Sequence, residues 1–229
     1  MFHLKPPATH IIDDIAGAIR WNYDRAELIA DAAVHILGLS FGLIASVALI
    51  VVSGMFAAPS HLVAVCIYAA GLLAMLALSA AYNMWPVSRR KWLLRRFDHS
   101  AIYVLIAGTY TPFVMQINDR MVAGMLLGGI WLVAIVGIVL KLYFPGRFDR
   151  LSIGLYLAMG WSGVAAYDAV VSSLPANTLM WLAVGGILYT LGVIFHAWER
   201  LRFQNAIWHG FVLSAAACHY VAVLDLVLT

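Results

Sequence analysis

The sequence predicts an all-α, polytopic membrane protein, because its composition, its apolar runs and the placement of its basic residues all favour that class. Hydrophobic residues make up 64% of the 229 residues and charged residues 11%, whereas a globular domain carries about 25% charged residues. The mean hydropathy is +0.91. A soluble domain would be far more polar, so the composition excludes a soluble protein.

Seven apolar runs approach the length of about 20 residues that a helix needs to span about 30 Å of hydrocarbon. The predicted membrane-spanning helices cover residues 32–55, 62–84, 100–117, 122–143, 151–171, 178–197 and 204–228. The connections are short and several contain proline, so helices adjacent in sequence are expected to be neighbours. We therefore predict a seven-helix membrane domain over residues 32–229, preceded by a cytosolic segment over residues 1–31.

The distribution of lysine and arginine predicts the orientation of the chain in the membrane. With the N-terminus in the cytosol, 13 of the 14 basic residues lie in cytosolic segments, and Arg120 lies on the opposite side. Cytosolic loops of membrane proteins carry an excess of these residues. We therefore predict a cytosolic N-terminus and an external C-terminus.

The segment over residues 11–31 mixes charged residues with Ile12, Ile15, Ile19 and Trp21. This pattern predicts an amphipathic helix that lies on the cytosolic leaflet, and a polar tail without fixed structure is the alternative. The start of the chain lacks a basic stretch followed by a short apolar core, so we expect no cleaved signal peptide.

Polar residues near the ends of three predicted helices are expected to meet at one depth in the membrane. Asn205 and His209 are four residues apart and therefore lie on one side of the last helix. The predicted orientation brings the ends of the second, third and last helices to the cytosolic side. The polar cluster expected there consists of Ser79, Asn83, Asp98, Asn205 and His209.

Two classes of partner are excluded by the placement of the basic residues. A retinal-binding pump needs a lysine within the membrane, but Lys5, Lys91 and Lys141 all fall at or beyond predicted helix ends. Nucleic acid binding is not expected either, because the basic residues lie at helix ends, where they set topology and contact lipid headgroups.

Five sequence motifs are spread over essentially the whole chain. They are Glu27-x3-Asp31-x3-His35, Ser79-x2-Tyr82-Asn83, Phe97-Asp98-His99-Ser100-Ala101-Ile102-Tyr103, Ile106-Ala107-Gly108-Thr109-Tyr110-Thr111-Pro112-Phe113 and Asn205-Ala206-Ile207-Trp208-His209. These motifs resemble those of the hemolysin III family, whose bacterial members are relatives of the progestin and adipoQ receptors within a ceramidase-like group of seven-helix proteins. The resemblance implies location in a bacterial inner membrane.

The resemblance also implies a cytosolic-side zinc site with one histidine on the second helix, two on the last helix, and an aspartate that holds the zinc-bound water. In this sequence the three ligand positions are Asn83, Asn205 and His209, and the aspartate is Asp98. Carboxamide oxygen is a poor zinc ligand beside imidazole. We therefore expect zinc binding to be weak or absent.

The candidate site residues keep alternative interpretations. His209 is either a metal ligand or a buried histidine that hydrogen-bonds to Asn83, Asn205 or Asp98. Asp98 is either a catalytic base that holds water or the partner of a neighbouring arginine or histidine. Ser79 either supports the site as a candidate catalytic residue or bonds the backbone of its own helix.

The resemblance, together with the two asparagines at ligand positions, implies a membrane protein of lipid homeostasis with a degenerate metal site, which binds membrane lipids such as a ceramide-like or fatty-acyl ligand. The first alternative that the resemblance implies is an active zinc-dependent amide hydrolase that acts on a ceramide-like lipid. A pore-forming or channel-like protein ranks third, because nothing in the sequence resembles a selectivity filter. His35, His99 and His196, also near cytosolic helix ends, leave a displaced metal site open.

Overall fold

The computed structural model describes residues 23–229, and these residues form helices and short connections without any strand. The all-α class is therefore confirmed. Most of the predicted interfacial helix over residues 11–31 lies outside the described residues.

The described helices follow the order of the predicted apolar segments. They are α1 Arg25–Phe56, α2 Pro59–Met84, α3 Arg89–Val114, α4 Arg120–Tyr143, α5 Asp149–Trp161, a 3-10 helix Ser162–Ala166, α6 Tyr167–Ser173, α7 Ala176–Ala197 and α8 Gln204–Leu228. Five of them, α1, α2, α4, α7 and α8, are long and apolar enough to cross a membrane. The helix α3 begins with a charged stretch, and the fifth apolar segment is divided among α5, the 3-10 helix and α6.

The helix α1 begins at Arg25, before the predicted start at residue 32, because a capping box fixes its first turn. Asp24 accepts hydrogen bonds from the backbone N–H groups of Ala26 and Glu27, and Glu27 accepts from the N–H of Asp24 at 2.9 Å. Such reciprocal bonds satisfy N–H groups that have no partner within the helix. The carboxylate of Glu27 also accepts from the N–H of Phe203 at 3.1 Å. The start of α1 is therefore joined to the residue that precedes α8.

The helices α2 and α3 pack closely through two glycines. A Cβ atom on Gly71 would lie 3.2 Å from the carbonyl oxygen of Val104, and one on Gly108 would lie 3.2 Å from the carbonyl oxygen of Ile67. The absence of a side chain at these positions allows the two backbones to approach. This packing brings the end of α2 close to the start of α3.

The helices pack in the spatial order α4, α3, α2, α1, α8 and α7, and each contacts the next extensively. The fifth segment, α5 to α6, closes the remaining side and contacts α7 much less than the other neighbouring helices contact each other. Its contacts with α3 and α4 are comparably few, so the fifth segment packs loosely against all three neighbours, and its boundary with α7 is called the seam.

The break in the fifth segment is stabilised by Tyr110 of α3. The Tyr110 hydroxyl donates to the carbonyl oxygen of Gly160 at 2.9 Å and accepts from the N–H of Gly163 at 3.0 Å. These bonds satisfy backbone groups at the change from α-helix to 3-10 helix. On the other side, the indole N–H of Trp161 donates to the hydroxyl of Thr190 on α7 at 3.0 Å.

A charged cluster joins α3 and α4 to the start of α5. Asp149 contacts Arg95 at 2.5 Å and Lys141 at 2.6 Å. Burial alone would raise the pKa of Asp149, but the positive charges of Arg95 and Lys141 and their hydrogen bonds hold it well below its usual value. The carboxylate is therefore ionised and ties three helices together.

Candidate functional site

A large cavity runs between the helices, with a volume of about 1580 Å³. Most of its wall is apolar and comes from α3, the fifth segment, α7 and α8. One end is polar and contains the predicted site residues Ser79, Asn83, Asp98, Asn205 and His209. Typical small-molecule sites occupy about 300–1,000 Å³, so this cavity has room for a large amphiphilic ligand.

Asp31 lies at the centre of the polar end. Its carboxylate contacts Nδ1 of His209 at 2.7 Å and accepts a hydrogen bond from the amide of Asn205 at 3.0 Å. Nε2 of His35, one turn along α1, lies 3.5 Å from the same carboxylate. A His209 ring that carries its proton on Nδ1 donates to this carboxylate. Asp31 therefore joins α1 to α8.

The two asparagines at the implied ligand positions hydrogen-bond to each other. The Asn205 amide donates to the side-chain oxygen of Asn83 at 3.0 Å, and the Asn83 amide donates to the carbonyl oxygen of Ser79 at 2.9 Å. One hydrogen bond therefore joins the two amides and extends the network to α2. An arrangement of two paired amides and one imidazole does not fit a three-histidine zinc site.

The structure places each predicted site residue at the polar end of the cavity but gives His209 a different partner. His209 bonds to Asp31, which is not one of the three partners that the sequence predicted. Asp98 and Ser79 are buried and line the same cavity. Nε2 of His99 lies 4.0 Å from the carboxylate of Asp98.

Two of the alternative partners of Asp98 are the arginines that precede it on α3. Both arginines contact other groups. Arg95 pairs with Asp149, and Arg96 donates to the carbonyl oxygen of Leu142 at 3.2 Å. His99 does contact Asp98, at 4.0 Å, so the interpretation of Asp98 as a partner of a neighbouring residue stands beside that of a base.

One group of side chains among residues 23–229 has the composition and spacing to hold a metal ion, and it consists of Asp31, His35 and His209. One ligand atom from each residue lies within 4.8 Å of the others. The two imidazole rings are 4.3 Å apart between centroids. His99 and His196, the other histidines of the displaced-site alternative, are not members of this group.

Asp31 was not recognised as a site residue from the sequence, although a signal was available. Glu27, Asp31 and His35 repeat at intervals of four residues, which places them on one face of α1. All three are buried in an otherwise apolar helix. Buried ionisable residues in a membrane-spanning helix are expensive and mark a functional region.

Comparisons with known proteins agree with the motifs. The model of the family described as "Haemolysin-III related" matches residues 27–220. The chain is 37% identical over 198 residues to "Hemolysin-3 homolog" of Bacillus subtilis, covering 86% of this chain and 93% of that protein. It is also 37% identical over 202 residues to "Hemolysin-3" of Bacillus cereus, covering 88% and 92%. A human protein, "Monocyte to macrophage differentiation factor", is 34% identical over 167 residues, covering 69% and 67%.

Proposed function

Because the chain belongs to the haemolysin-III related family of integral membrane proteins, we propose that it binds a fatty-acyl lipid in its cavity and acts in membrane lipid homeostasis. The observation that carries the proposal is the cavity of about 1580 Å³, which is apolar along most of its length and polar at one end. An amphiphile has the same division between an apolar chain and a polar headgroup.

In this proposal seven helical segments cross a bacterial inner membrane with the N-terminus in the cytosol. The positive-inside distribution of the sequence supports that orientation. The polar end of the cavity, with Asn83 and Asn205, then lies at the cytosolic side. The ligand's headgroup, such as the amide of a ceramide-like lipid or the carboxylate of a fatty acid, occupies this end.

The seam between the fifth segment and α7 supports lateral access from the bilayer. Gly160 and Gly163 line the cavity from one side of the seam, and Gly186 lines it from the other. The two elements contact each other little. An acyl chain can therefore enter between them without crossing the headgroup region of the membrane.

Binding of a fluorescent fatty-acyl probe to the purified protein in detergent tests the proposal. Ala183 of α7 lines the cavity, so Ala183→Trp places a large side chain in the space of the ligand. We expect this substitution to weaken binding at least about tenfold, which corresponds to about 1.4 kcal/mol.

The matched control is Val184→Trp at the next position of the same helix. Val184 is exposed and is not part of the cavity wall, so the same large side chain should leave probe binding unchanged. Equal effects of the two substitutions, or no saturable binding by the unmodified protein, would contradict the proposal.

Hydrolysis of a lipid amide is the second candidate function, because Asp98 is a buried carboxylate that lines the same cavity as His209. A carboxylate at the reacting centre can act as a general base. The test is cleavage of a fluorescent ceramide-like amide. Activity that is sensitive to a chelator and lost in Asp98→Ala would support this candidate, whereas probe binding without cleavage would refute it.

A further inference from the structure

We infer that Asp31, His35 and His209 form a binding site for a divalent transition metal, so that the metal ligands of this chain come from α1 and α8 rather than from the asparagine positions. The geometry of the three side chains carries this inference. It does not depend on which lipid the cavity binds.

The donor set suits such an ion. Two imidazoles and one carboxylate are the ligands of many zinc and non-haem iron sites, and they leave at least one coordination position open. Tetrahedral ligands about 2.1 Å from an ion lie about 3.4 Å from one another. The separations here are 2.7 Å between Asp31 and His209 and 3.5 Å between Asp31 and His35. Side-chain shifts of about 1 Å would bring all three ligand atoms to coordination distance.

A second observation points to a ligand at the same place. His35 is 6% exposed, and its buried Nε2 atom makes no hydrogen bond, although the Asp31 carboxylate lies 3.5 Å away. A buried polar atom without a hydrogen bond destabilises the fold. Because the lone pair of an imidazole nitrogen can coordinate a cation, a bound metal would give this atom a partner.

The asparagines have a supporting part in this arrangement. Asn205 donates to one oxygen of Asp31, and Asn83 accepts from the same Asn205 amide. Partners of this kind orient a ligating carboxylate without touching the ion. Asn205 is thus a positioning residue for Asp31. Asn83 contacts Asn205 and therefore acts on Asp31 only indirectly.

Metal binding by the full chain purified in detergent tests the inference, with Zn²⁺ and Co²⁺ as the probes. We expect about one ion per chain by elemental analysis. His35→Ala should lower the affinity at least about 100-fold. Asn83→Ala should lower it less than about tenfold, because Asn83 contacts Asn205 and not a ligand, and loss of a direct outer partner costs about 10–100-fold. Thermal unfolding of the metal-free variants checks that both remain folded.

A second experiment measures the appearance of a new absorption band, which a loss of stability cannot produce. Asp31→Cys places a thiolate where the carboxylate stands, so the Co²⁺-loaded variant should show a thiolate-to-cobalt charge-transfer band that the unmodified protein lacks. Cys66 and Cys218 are present in both proteins and therefore serve as the internal control.

Three results would overturn the inference. The first is the lack of a stoichiometric ion in the unmodified protein. The second is an affinity that falls with Asn83→Ala but not with His35→Ala, since the ion would then occupy the asparagine positions. The third is a folded, Co²⁺-loaded Asp31→Cys variant without a charge-transfer band.

Discussion

Replacing Gly137 of α4 by alanine should destabilise the fold through a contact with Tyr103 of α3. A Cβ atom on Gly137 would lie 2.2 Å from Cζ of the Tyr103 ring, and Tyr103 is fully buried. The ring centroid of Tyr103 is 4.5 Å from that of Tyr156, so the ring cannot move away freely. Overpacking of this kind typically costs about 1–3 kcal/mol.

Thermal unfolding in one detergent at one scan rate measures the effect. For a chain of this size, 1 kcal/mol corresponds to about 2–4 °C in the midpoint, so Gly137→Ala should lower the midpoint by about 2–12 °C. The matched control is Gly129→Ala on the same helix, where an added Cβ meets no atom within 4 Å. Because alanine favours helix over glycine by up to about 1 kcal/mol, the control should be neutral or stabilising. Equal midpoints for the two variants would refute the reasoning.

Two further predictions concern charged residues at the helix starts. Glu27→Ala should destabilise the protein by about 1–2 kcal/mol, because it removes one half of the capping box and the acceptor for the N–H of Phe203. Chemical denaturation measures this loss, and it should show a much smaller loss for Arg202→Ala, which removes an exposed ion pair. The depressed pKa of Asp149 predicts a stabilisation that is complete above its ordinary value of 3.8 and is lost as the pH falls below that value. Midpoints measured between about pH 5 and pH 3 should therefore fall more steeply for the unmodified protein than for Asp149→Asn, and parallel curves would show that this carboxylate is not the cause.

Apolar length and the placement of polar residues were enough to predict the helical class and part of the candidate site. The predicted meeting of Asn83 and Asn205 is found as a direct hydrogen bond. Both asparagines lie near ends of predicted helices, so the alternation of helix direction alone brings them to one depth. For this reason topology could predict that they lie close in depth, whereas the hydrogen bond between them depends on side-chain packing.

The contribution of α1 to the candidate site could not be predicted in the same way. Asp31 faces His209 because α1 starts at Arg25 and its first turn is joined to Phe203 through Glu27. The hydrogen bond between Glu27 and Phe203 links residues far apart in the chain, and no local sequence pattern specifies it. The spacing of Glu27, Asp31 and His35 shows a polar face on α1, but it does not show which helix that face meets.

The interruption of the fifth segment was missed for a similar reason. The residues over 151–171 read as one apolar run without proline, so length favoured a continuous helix. The break depends on the hydroxyl of Tyr110, a residue of another helix that supplies a donor and an acceptor to the freed backbone groups.

The two edges of the fifth segment differ in the hydrogen bonds that attach them to neighbouring helices. Tyr110 holds the segment to α3 at Gly160 and Gly163, and Tyr156 donates from the segment to the carbonyl oxygen of His99 at 2.8 Å. On the edge that faces α7, Trp161 holds it through a single hydroxyl. The edge toward α3 is therefore attached by more hydrogen bonds than the edge toward α7. We expect this wall of the cavity to separate from the bundle first at Trp161.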